Sequence, residues 1–331
     1  MRALAHEGTN GMEGLSYRTL DKPEPAQGEV LVKLLTAGLN HRDLFVLHRH
    51  HSADPALVIG SDGAGIIDAV GEGVEPSLIG KEVMINPGLG WKENSDAPPA
   101  GFEIVGLPYH GTFAEYITIP AENAAAKPGF LTWEEAGVTS LAGITAYRAL
   151  FTRGKLKEGM KVFIPGIGGG VATFLLQFAV AAGAEVYVSS RSKEKCDAAL
   201  KLGAKQAVDS NEDWQEALGG IGMDLIIESV GAATFNQSMS LLRKGGTIVT
   251  FGSSTGDTFQ FNLREFFYGQ FNLLGSTMGS AEEYLEMLSF IEKHGIKPVL
   301  DEVYTLDQYE AAFTRLEEAK QLGKIAFRIG E

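Results

Sequence analysis

Residues 161–195 constrain the fold more than any other stretch of the chain. Lys161-Val-Phe-Ile-Pro is a short apolar run and Gly166-Ile-Gly-Gly-Gly170 is a turn. Val171 then opens an apolar segment leading to a second short run that ends at Ser189-Ser190-Arg191. The pattern predicts strand over 161–165, helix over 171–182 and strand over 184–189. In that order the pieces make a parallel crossover, whose sheet must be covered on both faces. Glycines at 166, 168, 169 and 170 let the backbone turn sharply and approach an anion closely. The helix that follows presents unpaired N–H groups and its positive dipole end to that anion. A dinucleotide pyrophosphate fits this arrangement, with Gly166, Ile167, Gly168, Gly169, Gly170 and Val171 as its expected contacts.

The glycine pattern is not the strict one. Aligned on its last positions it reads Ile167-x-Gly169-x-x-Ala172, so the first and third fingerprint glycines are replaced. Ala172 still keeps a small side chain where helix and strand pack. Ser190 stands 20 positions after Gly170, about where such a unit meets the adenosine ribose. An acidic residue there would bond the ribose diol and repel a 2′-phosphate. Ser190 carries no charge, Arg191 donates in a fork that suits phosphate, and Lys195 adds a second cation. The expected cofactor is NADPH.

Further along, the same period continues. Strands are predicted at 205–208, 223–229, 246–251 and 271–276, with helices at 192–202, 211–218, 232–243 and 281–294, completing a doubly wound parallel sheet of six strands. Ligands bind such sheets at the carboxyl ends of the strands. Gly231, Phe251, Gly252, Ser253, Gly275 and Ser276 are therefore expected beside the cofactor. Residues 1–120 differ in character: short β-branched or alternating runs at 15–20, 30–37, 65–70, 82–85 and 113–119 predict a β-rich unit with one short helix at 40–48. Residues 87–108 are rich in Pro and Gly and predict an exposed loop. Thr132-Trp-Glu-Glu135 fits a helix-opening capping box. The tail, 299–304, 306–320 and 324–329, is a strand, helix and strand that can rejoin the first unit.

At 331 residues, two domains are expected. A net charge of −14 opposes a nucleic-acid backbone as partner. The lone cysteine, Cys196, excludes an intramolecular disulfide and a multi-cysteine zinc site. No stretch is apolar enough for a membrane span or a signal peptide, so a cytoplasmic protein without membrane partners is expected.

Several motifs in order carry a resemblance. They are Pro25-x-x-Gly-Glu-Val-Leu-Val, Ala37-Gly-Leu-Asn40-x-x-Asp43, Ile59-Gly-Ser61-Asp62-Gly-Ala-Gly65, Gly111-Thr-Phe-Ala-Glu-Tyr116, Leu141-Ala-Gly-Ile-Thr-Ala-Tyr147 and Gly323-Lys324-Ile. With them the chain resembles the medium-chain dehydrogenase/reductase superfamily along nearly its whole length, and within it the zinc-independent quinone or enone reductases. The resemblance implies a GroES-like catalytic domain from residues 1–122 and 296–331, and a Rossmann domain from 123–295. It also implies a homodimer and a cofactor contact at Lys324. Zinc-dependent relatives place cysteine where Asn40 stands, histidine at Ser61, cysteine near Leu141, and usually glutamate at Asp62. The residues here are poor zinc ligands, and 87–108 lacks the four cysteines of a structural zinc lobe. No zinc is expected at either place.

Without a Lewis acid, hydride transfer suits an acceptor that is already electrophilic, a quinone or an α,β-unsaturated carbonyl. Such a site needs hydrogen-bond donors toward the oxygen that gains charge. Asn40 is the first candidate, with Ser61 and Tyr109 as further pocket residues. Asn40 and Asp43 equally fit a helix N-cap with an acidic first turn. No residue declares itself as the proton donor. His48, His50 and His51 lack an acidic ligand pattern and are expected in a solvated or pocket-lining segment. Cys196 has no base nearby and is not expected to be nucleophilic. Two other readings stay open: an NADPH-dependent carbonyl or alcohol oxidoreductase, and an NADPH-binding regulatory protein with little turnover.

Overall fold

The computed structural model describes residues 1–51 and 53–330; Ser52, which ends the histidine run, and Glu331 lie outside them. The chain forms two compact units, one from Met1–Ala142 with Gly279–Glu331, the other from Gly143–Met278.

In the first unit the strands are β1 (Arg2–His6), β2 (Leu15–Thr19), β3 (Glu29–Leu39), β4 (Leu57–Val58), β5 (Asp62–Val70), β6 (Glu82–Ile85), β7 (Gly88–Leu89), β8 (Glu103–Ile104), β9 (Tyr116–Pro120) and β10 (Ala124–Ala126). Helix α1 (His41–Arg49) follows β3, and α2 (Trp133–Gly137) and α3 (Ser140–Tyr147) lead out of the unit. The long strand β3 organises it. It pairs antiparallel with β5, bringing Gly38 opposite Asp62, and with β9, bringing Val32 opposite Ile117. Its buried valines and leucines pack with Ile67, Val83, Ile85 and Ile119. Each such side chain contributes roughly 1.5–3 kcal/mol when taken out of water.

The second unit holds β11 (Lys161–Ile164), α4 (Gly170–Ala181), β12 (Glu185–Ser190), α5 (Lys193–Lys201), β13 (Gln206–Asp209), α6 (Trp214–Ala217), β14 (Met223–Glu228), α7 (Phe235–Ser240), β15 (Leu242–Thr250), α8 (Leu263–Gly269) and β16 (Asn272–Gly275). Every pairing in its sheet is parallel, in the order β13-β12-β11-β14-β15-β16. The strand order reverses at β11, the topological switch point of a doubly wound sheet. Trp214 is buried against Phe163, ring centroids 4.9 Å apart, in a core with Tyr187, Ile226 and Ile248. The expected six-stranded Rossmann sheet is present.

The chain then returns to the first unit with α9 (Ala281–His294), β17 (Leu300–Thr305), α10 (Tyr309–Glu317) and β18 (Lys324–Arg328). Strand β18 pairs antiparallel with β3, bringing Ile325 opposite Leu39, so the tail completes the GroES-like unit.

Four local features differ from the sequence expectation. The units divide at 142/143 and 278/279, whereas the sequence places the junctions at 122/123 and 295/296. Helix α2 lies on β3 and β5, and Ser140 shares a 2.7 Å hydrogen bond with Tyr284 of α9. The N–H groups of Ala281 and Glu282 are taken by the carbonyls of Trp91 and Lys92. Those bonds also correct the view of 87–108 as an exposed loop: Trp91 and Val105 are buried, Trp91 packs edge-on against Phe102, and β7 pairs with β8. The helix expected at 232–243 shrinks to α7, because the preceding turn is bound to Glu228. Helix α8 was not legible, since its exposed Leu263, Phe267 and Tyr268 give no inward-facing period.

Candidate functional site

In the second unit, the turn from Gly166 to Gly169 is tied to the end of β12: Ile167 N–H donates to the Ser189 carbonyl at 2.8 Å, and Gly166 N–H reaches Ser189 Oγ at 3.4 Å. Gly166 has φ 71° and Gly168 φ 142°, values that a side chain would strain. Gly169 caps α4 without any side-chain hydrogen bond, and a Cβ added to it would meet nothing within 4 Å. Half-buried backbone with open space on its Cβ side thus stands at the N-terminus of a 12-residue helix, as an anion site requires. A Cβ on Gly168 would stand 2.6 Å from Lys195 Cδ and 3.0 Å from its Nζ. The Lys195 chain therefore lies across the turn. Ser190 is buried, its Oγ accepting from Ser192 N–H at 3.1 Å, while Arg191 beside it is exposed. Gly166, Ile167, Gly168, Ser190 and Lys195 are thus brought together at the ends of β11 and β12. These residues fit a dinucleotide.

Gly231, Phe251, Gly252 and Ser253 sit at the ends of β14 and β15, and Gly275 and Ser276 at the end of β16. Ser276 N–H donates to the Thr250 carbonyl at 2.8 Å, and its buried Oγ has no partner among the described residues. Cys196 donates weakly to the Ser190 and Val208 carbonyls, and burial pushes its thiol pKa up. It is not poised as a nucleophile.

In the first unit, strand register gathers a second group. The ends of β3 and β18 and the start of β5 meet, so Asn40, Asp62 and Lys324 converge. Lys324 Nζ donates to Asp62 Oδ2 at 3.1 Å, to the Leu39 carbonyl at 3.0 Å, and to Asn40 Oδ1. Asp62 also accepts from Asn40 Nδ2 at 3.0 Å and from the Leu141 N–H at 2.6 Å. Lys324 is 3% exposed and Asp62 0%. The Asn40 amide gives its remaining N–H to the Gly38 carbonyl at 3.3 Å.

These contacts change the expected role of Asn40. Both amide donors point inward, so it does not offer one to a substrate. It is half of a cap only through its backbone: Asn40 N–H donates to Asp43 Oδ2 at 2.8 Å, while Asp43 N–H goes to the Asn40 main-chain carbonyl at 2.9 Å. Asp43 is fully buried and its Oδ1 has no hydrogen-bond partner among the described residues. Burial pushes its pKa up to about 7, against the lowering effects of Asn40 N–H, Arg42 and Lys324.

Ser61 is also engaged. It is fully buried, donates to the Val105 carbonyl at 2.8 Å and accepts from Arg42 Nη1 at 3.1 Å. Arg42 was missed by sequence reasoning. Its guanidinium also faces the carbonyls of Ile104, Val105 and Leu107, and burial lowers its pKa. Tyr109 stands apart, 59% exposed, with no side-chain hydrogen bond among the described residues. Lys324, expected to touch the cofactor, spends its ammonium on the Asp62–Asn40 group instead.

The positions that hold zinc in zinc-dependent relatives do not fit the metal here. The side chains of Asn40 and Ser61 are committed, Leu141 is apolar, and an ammonium and a guanidinium already bond two of the three residues. Among the described residues no group of three His, Cys, Asp or Glu side chains could hold a metal ion. In the histidine run, His48 and His51 are exposed, but His50 is buried and its Nδ1 lies 2.9 Å from that of His6 on β1. The outer nitrogens face the Gly11 and Pro55 carbonyls, each at 3.1 Å. A separation of 2.9 Å is a hydrogen-bond length, so one ring donates to the other. The pair ties α1 to β1. Of the expected alternatives, a solvated or a pocket-lining segment, the solvated one fails at His50, which is buried against a partner 44 residues away.

Residues 26–129 match the model of the alcohol dehydrogenase GroES-like domain, and residues 170–293 that of the zinc-binding dehydrogenase. A zinc-type alcohol dehydrogenase-like protein of Schizosaccharomyces pombe is 34% identical, with 99% of each chain covered. The chain belongs to the medium-chain dehydrogenase/reductase superfamily. The crystal structure of an NAD-dependent alcohol dehydrogenase superposes on this medium-chain oxidoreductase with a TM-score of 0.92, at 33% identity over 100% of both chains. A crotonyl-CoA reductase of Streptomyces avermitilis is 28% identical over 92% of this chain and 79% of its own. Among the described residues of this superfamily member, no helix is long and apolar enough to cross a membrane.

Proposed function

We propose that the chain is an NADPH-dependent reductase of quinones or α,β-unsaturated carbonyls that works without zinc. The observation that carries the reading is the state of the zinc-ligand positions. Asn40 and Ser61 are locked in hydrogen bonds to cations, and Leu141 contributes only its backbone N–H. A substrate must then be electrophilic by itself. The name of the Streptomyces relative points the same way, because a crotonyl thioester is α,β-unsaturated. When bound, the nicotinamide supplies the hydride. The chain's own residues hold the pyrophosphate at Gly166–Val171 and the 2′-phosphate at Ser190, Arg191 and Lys195.

A second reading, an NAD-dependent alcohol or carbonyl oxidoreductase, is favoured by the likeness to the NAD-dependent alcohol dehydrogenase at 33% identity. One assay separates them: loss of 340-nm absorbance from NADPH and from NADH across a panel of quinones, enones and simple carbonyls. Rapid turnover of NADPH with a quinone or enone is expected. Turnover only with NADH, or only with simple carbonyls, defeats the leading reading; cofactor binding without oxidation of any acceptor leaves a regulatory binder. In the same assay Arg191→Ala raises the KM for NADPH by about 10–100-fold, the worth of one charge-assisted contact at roughly 1.5–3 kcal/mol, and leaves NADH nearly unchanged. Equal effects on both cofactors would remove the phosphate role.

A homodimer belongs to the same proposal. Strand β16 is one of the two edges of its sheet, and Leu273 on it and Leu263, Phe267 and Tyr268 on α8 are exposed. An edge strand with apolar neighbours is a surface that a second copy pairs with. Light scattering at the monomer mass would refute it.

A further inference from the structure

The turn that follows β14 is built around one buried carboxylate. Glu228, the last residue of β14, is 0% exposed. Its Oε1 accepts from Val230 N–H at 2.7 Å and Gly231 N–H at 3.2 Å. Thr234 Oγ1 lies 3.1 Å from both carboxylate oxygens, and Ser238 Oγ of α7 donates to Oε2 at 2.7 Å. Four donors from one short stretch of chain thus converge on a single side chain. Bonds to a carboxylate are roughly twice as strong as neutral ones, so this arrangement freezes the turn rather than merely tolerating it.

The frozen turn in turn holds its neighbour. The Val230 carbonyl accepts from Thr255 N–H and Thr255 Oγ1, each at 2.8 Å, and Ala233 N–H donates to Thr255 Oγ1 at 3.0 Å. The Glu228 carbonyl accepts from Phe251 N–H at 3.2 Å. Backbones touch with no room between them: a Cβ on Gly231 would stand 2.9 Å from the Gly256 carbonyl oxygen and from Ser253 Cα, and one on Gly252 would stand 3.0 Å from the Ser229 carbonyl oxygen. The loops after β14 and β15 form one block, and Glu228 is its key.

The position of the block in the sheet gives it a use. The adenosine side of a dinucleotide belongs to β12, on one side of the switch point at β11, and the opposite half of the ligand belongs to the β14–β15 side. We propose that Glu228 is a positioning residue for the nicotinamide half of the cofactor. It acts through the backbone of Gly231, Phe251, Gly252 and Ser253 without itself touching the ligand. The inference rests on the cofactor reading above and adds a residue that no glycine motif marks.

The test separates the two halves of the cofactor. Adenosine 2′,5′-bisphosphate probes the β12 side alone, and NADPH probes both. In Glu228→Gln, which keeps size and one oxygen acceptor, the Kd for adenosine 2′,5′-bisphosphate stays within about twofold of the parent. The Kd for NADPH rises about tenfold and kcat falls at saturating NADPH. Ser238→Ala, remote on α7, produces a smaller change in the same direction, and guards against a Gln variant that fails to fold. Parallel loss of both ligands in folded variants, or no change in either, overturns the positioning role. A parent protein that binds neither ligand overturns the cofactor reading itself, and this inference with it.

Discussion

Lys324→Met lowers the unfolding free energy by about 3–5 kcal/mol, measured by urea denaturation at neutral pH. The magnitude follows from what the substitution leaves behind. Asp62 is wholly buried, and without the ammonium its Oδ2 keeps only the Asn40 amide at 3.0 Å, with the Leu141 N–H on Oδ1. A carboxylate in that setting loses its compensating charge and cannot recover water. Asn40 loses a partner too, since its Oδ1 accepts from the same ammonium. The cost is therefore that of a stranded charge rather than the net worth of the pair. Asp62→Asn combined with Lys324→Met recovers most of the loss, because a neutral amide still accepts from Leu141 N–H. A single variant within about 1 kcal/mol of the parent would show that the ammonium is not what holds Asp62 in place.

This group also marks where sequence reading stops. The glycine turn, the two strands around it and the presence of six strands were legible because each depends on local pattern: apolar runs of strand length, glycines at the bend, and a helical period between. Ser190, Arg191 and Lys195 follow from counting along one unit. Lys324 and Asp62 lie 262 residues apart and meet only because β3 pairs with both β5 and β18. Nothing in the spacing of either residue announces that register. The same holds for His6 with His50, and for Arg42, whose partners are the carbonyls of Ile104, Val105 and Leu107 and the Ser61 hydroxyl. The amide donors of Asn40 turn inward, to Gly38 and Asp62, and a sequence shows which groups can donate but not which way they face. Glu228 had a weaker signal that was available: an acidic residue closing the apolar run Leu225–Ile227, followed within ten positions by Thr234 and Ser238. A buried carboxylate needs donors, and these hydroxyls supply them.

Asp43→Asn separates from the parent as pH rises. The Asp43 carboxyl is fully buried, one oxygen lacks a hydrogen-bond partner among the described residues, and its pKa is pushed up to about 7 by burial, from an ordinary value of 3.8. A carboxyl whose folded pKa exceeds its unfolded one binds more protons when folded. Its contribution to stability is complete below about pH 4, declines as pH climbs through the window to about 7, and is lost above it. Three units at about 1.4 kcal/mol each set the change at roughly 4 kcal/mol, an upper figure. Other carboxyls titrate in the same range, so the informative quantity is the stability of Asp43→Asn minus that of the parent at pH 4.5, 6 and 8. That difference moves in favour of the asparagine variant by a few kcal/mol across the series, whatever its starting value. Parallel pH profiles for the two proteins would mean that Asp43 is ionised throughout and that Lys324 and the Asn40 N–H outweigh its burial. Placing the substitution in a Lys324→Met background sharpens the result: with the ammonium gone, one of the influences lowering the Asp43 pKa disappears, and in the parent carboxyl the decline shifts to higher pH.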